Sequence, residues 1–527
     1  VNKDCDKSMS KHYYVTTPIY YLSGTPHLGT AYTTIAADVL SRFKRMDGYD
    51  VKFLTGTDEH GLKVFQCADK ENMEPQAYCD REVQKFIDLA KFMNCTFDDF
   101  IRTTEERHKI AATALWNKLI EKDQIYLSTY SGWYAVSDEA YYDESEITTN
   151  DKGDKVAISS GSKVTWMEEE SYFFRLSAWQ EPLLEYYKNN PDAIMPQSRR
   201  NEVLRFIEGG LHDLSVSRTT FSWGIPVPNN DKHVMYVWLD ALTNYLSALG
   251  YPHTDGDMQN FWPADLHLVG KDILRFHAIY WPAFLMAADI TPPKRVFAHG
   301  WILSGSQKMS KSLGNTLIPE ELVGLYGLDQ LRYFLMREVS FGQDGSFTHE
   351  AMQQRMSHDL ANDFGNLAQR VLSFIYKHCE TRLPTIGTLT DADIAMLDAA
   401  GPTLLQAVRD RLDQQEFHRA LETIWAVIRQ ANVYVDEQAP WGLRKTDTVR
   451  METVLGVLTE VIRRLALLAL PFMPESCGKL LDQLSIAADQ RDYSTLDDQI
   501  HIVSGTEIPQ PVGVFPRYQP PETEQGA

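Results

Sequence analysis

The chain has 527 residues, 43% of them hydrophobic, with 72 acidic against 51 basic side chains and a formal net charge of -21 at pH 7. That length suits a globular protein of about three to four domains, and the acidic balance excludes a generally basic nucleic-acid coat, so any RNA contact must use a local basic face. Cys5, Cys67, Cys79, Cys95, Cys379 and Cys477 form no Cys-x-x-Cys and no paired Cys/His spacing of the zinc type, which reads as reduced thiols.

Residues 1–10 are polar and charged, without the apolar run of a signal peptide. The first organised stretch spans residues 13–43. Tyr13-Tyr14-Val15 is rich in strand formers, Ser23-Gly24-Thr25-Pro26 is turn chemistry, and Tyr32, Ile35, Ala36, Val39, Leu40 and Phe43 recur at helical spacing. A strand, a turn and a helix result, and they aim His27 at a helix N-terminus, where unpaired N–H groups and the positive dipole end favour phosphate. Gly29 leaves room for a ligand near the backbone. Alone, His27-Leu28-Gly29-Thr30 is a weak signal, because turn histidines are common.

A second strand from Val51 ends in Asp58-Glu59-His60-Gly61. Ligands of open parallel sheets sit beyond the carboxyl ends of the strands, and a carboxylate such as Asp58 can hold an ammonium group; a solvated turn is the bland reading. Residues 74–92 and 108–122 look helical. From Ile125 to about Asn230, Tyr126, Tyr130, Trp133, Tyr134, Tyr141 and Tyr142 alternate with small and acidic residues, the pattern of short strands inserted into an α/β frame. Arg199, Arg200, Arg205 and Arg218 form a local cationic cluster for RNA phosphates, or surface pairs with Glu202 and Glu208. Residues 233–240 read as a buried strand, 266–272 as a strand and turn leading to a helix with Phe276 and His277, and 296–303 as a last strand. On pattern alone, Trp238 and Tyr245 are ordinary core residues. The whole is a split, doubly wound parallel sheet of Rossmann type with a connective insert.

From about Met352 the texture is helical. Leu360, Phe364, Leu367, Val371, Phe374 and Ile375 form one apolar stripe, with Asn362, Asn366 and Arg370 on a neighbouring face. Helices over 393–412, interrupted at Gly401-Pro402, then 416–435 and 451–470, complete a C-terminal α-helix bundle. Residues 454–473 contain Glu460, Arg463 and Arg464, so they read as a buried helix rather than a membrane span. The Pro-rich tail 516–527 is expected to be mobile.

Lys308-Met309-Ser310-Lys311-Ser312 changes the weight of the first motif. A specified pentapeptide arises by chance in roughly two of ten thousand such chains. With His27-Leu28-Gly29-Thr30 ahead of it, the chain resembles the class I aminoacyl-tRNA synthetases, whose signatures are His-Ile-Gly-His and Lys-Met-Ser-Lys-Ser. Along nearly its whole length it is similar to the methionyl-tRNA synthetase family. The matching stretches include Thr17-Pro18-Ile19-Tyr20-Tyr21, Thr55-Gly56-Thr57-Asp58-Glu59-His60-Gly61, Tyr236-Val237-Trp238-Leu239-Asp240-Ala241, Gly270-Lys271-Asp272-Ile273, Asn366-Leu367-Ala368-Gln369-Arg370 and Gln438-Ala439-Pro440-Trp441.

The resemblance implies ATP-dependent activation of methionine and transfer to the 3′ end of tRNA(Met), with Mg2+ accompanying ATP. It assigns catalysis to His27, Thr30, Lys308 and Lys311, and ATP binding to His27, Gly29, Lys308, Ser310 and Lys311. It gives the methionine side chain to Ile19, Tyr21, Trp238, Ala241, Tyr245 and His277, the ammonium to Asp58, and anticodon reading to Asn366, Arg370 and Trp441. The implied domains are catalytic halves at 1–124 and 231–303, an insert at 125–230, a signature loop and stem-contact region at 304–351, an anticodon-binding bundle at 352–515 and a tail at 516–527. Thr30 stands where the family usually has its second histidine, and its hydroxyl reaches less far. Residues 125–230 lack the cysteines of the zinc knuckle that many relatives carry, so no structural zinc is expected.

The isoleucine, valine and leucine enzymes carry larger editing inserts, and the cysteine enzyme binds zinc through cysteines absent here. A catalytically silent tRNA-binding protein and a tRNA-independent adenylating ligase are the rivals of other classes. The expected form is a monomer in the cytoplasm, or in the mitochondrial matrix after transit-peptide removal.

Overall fold

The computed structural model describes residues 11–22, 24–136, 138, 140–305, 307–308 and 316–519. They form two compact units, one of His12–Pro26 and Val51–His299, the other of Lys11, His27–Asp50 and the described residues from Gly300 onward.

The first unit is built on a six-stranded sheet of β1 (His12–Tyr21), β2 (Asp50–Asp58), β3 (Asp99–Arg102), β4 (Ile194–Met195), β5 (Leu266–Gly270) and β6 (Val296–His299). Its spatial order is β3-β2-β1-β5-β6-β4, and the pairings β2 with β3, β1 with β5, β5 with β6 and β6 with β4 are parallel. Val15, Leu54, Leu268 and Phe297 are buried along it, as strands covered on both faces require. The order reverses between β1 and β5. A crevice beyond the strand ends is therefore expected there.

The insert departs from a run of short strands. Ile125–Ala135 and Thr165–Phe174 are long antiparallel partners, but Gln180–Asn189 and Gln197–Glu208 are helices, with β4 between them joining the main sheet. Leu183 with Tyr187, and Val203 with Ile207, are buried at i, i+4 and supply the apolar stripes. The strand expected over 233–240 stops at Met235, and Val237–Ser247 is a helix. A short aromatic run does not distinguish strand from buried helix by its period. The last strand is also divided. β6 ends at His299, while Ile302–Ser304 pairs with Gln307–Lys308 and Gly345–Phe347 in the other unit. A Cβ on Gly300 would come within 2.2 Å of the Gln343 backbone, so only glycine lets the chain pass there.

In the second unit, Leu28–Met46 is a helix capped by His27, with Lys44 and Arg45 in its last turn complementing the dipole. Pro319–Tyr326 and Leu328–Arg337 are helices inside the stretch read as loop and stem contact. The bundle follows with Asn366–His378, Asp391–Ala399, Pro402–Asp413, Phe417–Gln438 and Thr448–Ala469. The break at Gly401-Pro402 falls where the sequence put it. Glu460 is buried with Arg463 and Arg464 at 2.6 and 2.7 Å, the pairing that lets charge sit inside a core. Among the described residues no helix is long and apolar enough to cross a membrane. The expected tail is packed at its start, with Tyr518 at 5.4 Å from the Tyr326 ring; residues 520–527 lie outside the described residues.

Candidate active site

At the strand-order reversal, the ends of β1 and β2, the helix Val237–Ser247 and the turn after β5 form a partly open cavity. Pro18, Ile19, Tyr21, Asp58, Trp238, Ala241, Leu242, Asn244, Tyr245, Ile273 and His277 line it. The seven residues assigned to methionine thus meet in one place. Sequence reading missed Pro18, Leu242, Asn244 and Ile273, although helical spacing would have pointed from Trp238 to Leu242 at i+4 and from Ala241 to Asn244 at i+3 had 237–247 been read as a helix.

Apart from Asp58, the walls are built of aromatic, aliphatic and uncharged polar side chains. Trp238 stacks on Phe276 with centroids 3.4 Å apart and planes 6° apart. His277 Nδ1 donates to Ile273 O at 2.9 Å, so its Nε2 accepts from the Tyr245 hydroxyl at 2.7 Å. Behind them, Tyr245 stacks on His267 at 4.1 Å, and the Tyr14 hydroxyl donates to Tyr245 O. A polarizable thioether packs well against such aromatic walls, and the carboxylate of Asp58, 2% exposed, supplies a counter-charge for an ammonium.

Burial pushes the His277 imidazole down to about 4 from its ordinary 6.5, and pushes His267 well below it. The unfolded chain binds these protons at higher pH, so stability is full above about pH 6.5 and falls as the pH drops toward 4. A His277→Gln variant is expected to lose less melting temperature than its parent between those pH values in scanning calorimetry. An equal slope would assign the acid loss to other groups.

Of the three polar side chains ending β2, only Asp58 faces the cavity. Glu59 is held by Arg102 at 2.7 and 3.0 Å and by Thr57 and Thr104, and His60 Nδ1 lies 2.7 Å from Asp240. The arginine cluster disperses. Arg199 pairs with Glu202, Arg200 donates to Tyr187 O and Arg205 to Asn201 O. Arg218, 1% exposed, donates to Ser215 and Ser217 and lies 3.6 Å from the Tyr236 ring centroid, which makes it a core residue rather than a phosphate contact.

In the other unit, His27 caps its helix in extended backbone, and its Nδ1 accepts from Gly29 N at 3.0 Å. In the neutral ring that places the proton on Nε2, where it can be donated. A Cβ on Gly29 would stand 2.8 Å from His27 Cε1. A side chain at position 29 would therefore displace the capping ring from this position. Thr30 lies in the first turn, and its carbonyl accepts from Thr34 Oγ1 at 2.9 Å. Lys308 belongs to the short strand Gln307–Lys308, while Ser310 and Lys311 lie outside the described residues.

Asn366 and Arg370 lie one turn apart on the helix Asn366–His378. The Arg370 guanidinium stands 5.1 Å from the Trp441 ring centroid and 2.7 Å from Asp436, and Trp441 is 44% exposed. An exposed ring beside a cation offers a stacking surface for an unpaired base.

A family model described as class I tRNA synthetases (M) matches residues 13–372, and one described as the anticodon binding domain of methionyl tRNA ligase matches residues 383–524. Methionine–tRNA ligase of Brucella suis biovar 1 is 54% identical over 507 residues, covering 96% of this chain and 98% of its own. The ligase of Mycobacterium tuberculosis (strain ATCC 25618 / H37Rv) is 51% identical over 521 residues, covering 98% of this chain and 100% of its own. Among solved structures, Mycobacterium tuberculosis methionyl-tRNA synthetase in complex with methionyl-adenylate is similar at a TM-score of 0.93, with 50% identity over 96% of this chain and 100% of that one.

Proposed function

Because the chain belongs to the class I methionyl-tRNA synthetases and is a methionine–tRNA ligase, we propose how its residues divide that work. The enzyme activates methionine with ATP to methionyl-adenylate and pyrophosphate, then transfers the methionyl group to the 3′ end of tRNA(Met). The methionine carboxylate is itself the nucleophile at the α-phosphate, so the protein must align reactants and stabilise phosphate charge. In this reading Asp58 holds the ammonium, and Ile19, Tyr21, Trp238, Ala241, Tyr245 and His277 enclose the thioether. The observation that carries it is the cavity itself, an aromatic pocket with a buried carboxylate at the reversal of strand order.

His27 donates from Nε2 to a phosphate oxygen, with Gly29 and Thr30 in the same first turn. Lys308, Ser310 and Lys311 take the β and γ phosphates as pyrophosphate leaves. Mg2+ binds phosphates and waters with at most one or two carboxylates. Mg2+ is therefore proposed to enter as a companion of ATP, where it would neutralise phosphate charge. The residue ranges 1–124 and 231–303 act as the catalytic halves, 125–230 as the insert and 304–351 as the signature and stem-contact region. The insert is proposed to fold without zinc; its lobe packs Ala135, Ala157 and Val164 together, and stoichiometric zinc in a metal analysis of purified protein would overturn this. The working form is proposed as a cytoplasmic monomer, its mass to be checked by light scattering.

Pyrophosphate exchange with each standard amino acid, without tRNA, tests the activation step. Exchange with methionine alone is expected, and exchange with leucine or isoleucine instead would sink the pocket assignment. The bundle, 352–515, is proposed to read the anticodon through Asn366, Arg370 and Trp441. Loss of one base stack costs about 1–3 kcal/mol, so Trp441→Ala should lower charging kcat/KM for tRNA(Met) by roughly 5- to 150-fold. Its tRNA-free exchange should match the parent; an equal loss in both assays would remove Trp441 from RNA recognition.

A further inference from the structure

Asp240 carries a carboxylate with no exposure that receives two imidazole donors. His60 Nδ1 lies 2.7 Å from one oxygen and His108 Nε2 lies 2.7 Å from the other. Both rings are sealed as well, at 4% and 0% exposure. A charge enclosed in this way persists only while its donors stay in place. Burial alone would raise the Asp240 carboxyl, but His60 and His108 outweigh it and hold it down at about 2. The rings are fixed on their other sides too, His108 Nδ1 by Ser247 Oγ at 3.0 Å and His60 by the edge-on ring of Trp223 at 5.5 Å.

None of these three groups lines the cavity, yet their positions join its two ends. His60 follows Asp58 by two residues, and Asp240 stands on the helix Val237–Ser247 between Trp238 and Ala241. Glu59, between Asp58 and His60, is clamped by Arg102, Thr57 and Thr104, and Trp223 Nε1 donates to its carbonyl at 2.6 Å. The strand end has little slack, so moving His60 moves Asp58. His108 holds Asp240 from the helix Glu106–Glu121 and contributes nothing to that strand end.

We propose that His60 and Asp240 are positioning residues that set the spacing between the Asp58 carboxylate and the Trp238–Tyr245 wall, and with it the grip on an amino acid that must reach both. This rests on the reading that Asp58 takes the ammonium of methionine. Groups that fix ground-state spacing act on KM rather than on kcat.

His60→Phe keeps the ring against Trp223 and removes the donor, whereas His60→Asn keeps an N–H near the place of Nδ1. The Phe variant is expected to raise the methionine Kd by calorimetry and the exchange KM at least about tenfold, with kcat and the ATP KM within about threefold of the parent. The Asn variant should return both constants to within about threefold. If Phe does not fold, His60→Gln, which moves the donor toward the place of Nε2, should raise KM as Phe does. His108→Phe should lower the melting temperature without a matching rise in KM. Parental KM in both the Phe and Gln variants, or equal rises in His60→Phe, His60→Asn and His108→Phe, would overturn the proposal. Absence of methionine exchange in the parent would overturn the pocket reading instead.

Discussion

Asp58→Asn should lower kcat/KM for methionine in pyrophosphate exchange by roughly 30- to 4,000-fold. Asp58 is buried at the end of β2 and lines the cavity, so an ammonium brought to it would be desolvated and would depend on the carboxylate's charge. Removing one partner of a buried charge pair costs about 2–5 kcal/mol, most of it from leaving the other charge uncompensated, and about 1.4 kcal/mol is a factor of ten. Asparagine has nearly the same shape, so the melting temperature and the ATP KM should hardly change. Des-amino methionine, 4-(methylthio)butanoate, gives the sharper test because it carries no ammonium. Activation of that acid should differ by less than about threefold between parent and variant, since only uniform binding to the missing group has been removed. A parental methionine KM in Asp58→Asn would move the ammonium site elsewhere.

How far such a pocket was readable follows from where each residue's partners lie. Asp58 was legible because a polar cluster ends an apolar run, and the sheet was legible for the same reason at β1, β2 and β5. The helix Val237–Ser247 was not, because Asp240, Thr243, Asn244 and Ser247 are buried along with its apolar residues, and without a solvated face the helical period carries no contrast. Arg218 looked like a surface cation because its partner ring, Tyr236, arrives only through folding. The same holds for Asp240, whose donors His60 and His108 stand 180 and 132 residues away. The stop at Gly300 answers to the backbone of Gln343, a constraint that no local pattern contains. Gly29 was legible as a demand for space, although the neighbour a side chain there would meet is the capping ring of His27. Motifs thus marked where chemistry is concentrated, while the side chains that hold those motifs in place had to be seen folded.

The largest loss of stability is expected from Arg332→Ala. Arg332 is fully buried in the unit that contains the His27 helix. Its Nη2 donates to Asp38 Oδ2 at 2.6 Å and to Pro471 O at 3.0 Å, and its Nε donates to Phe472 O at 3.0 Å. Asp38 has no exposure and is also reached by Arg42 at 2.8 Å. Truncating the guanidinium takes a buried partner from a buried carboxylate and donors from two carbonyls, and breaking such a pair costs about 3–5 kcal/mol. For a unit of this size that corresponds to a melting temperature lower by about 10 °C. Asp38 stands on the helix that His27 caps, and Pro471 and Phe472 follow the long bundle helix Thr448–Ala469. The pair therefore fixes the register of the signature helix against the bundle, with Lys44 to Asp413 at 2.7 Å and Arg409 to Asp47 at 3.0 Å as further ties. If register is its use, the double variant Asp38→Leu/Arg332→Met should recover most of the melting temperature, because apolar pairs often match buried ion pairs in stability, while exchange activity stays low. Recovery of both would make the pair a packing element alone, and an unchanged melting temperature in Arg332→Ala would show that the bundle holds the helix without it.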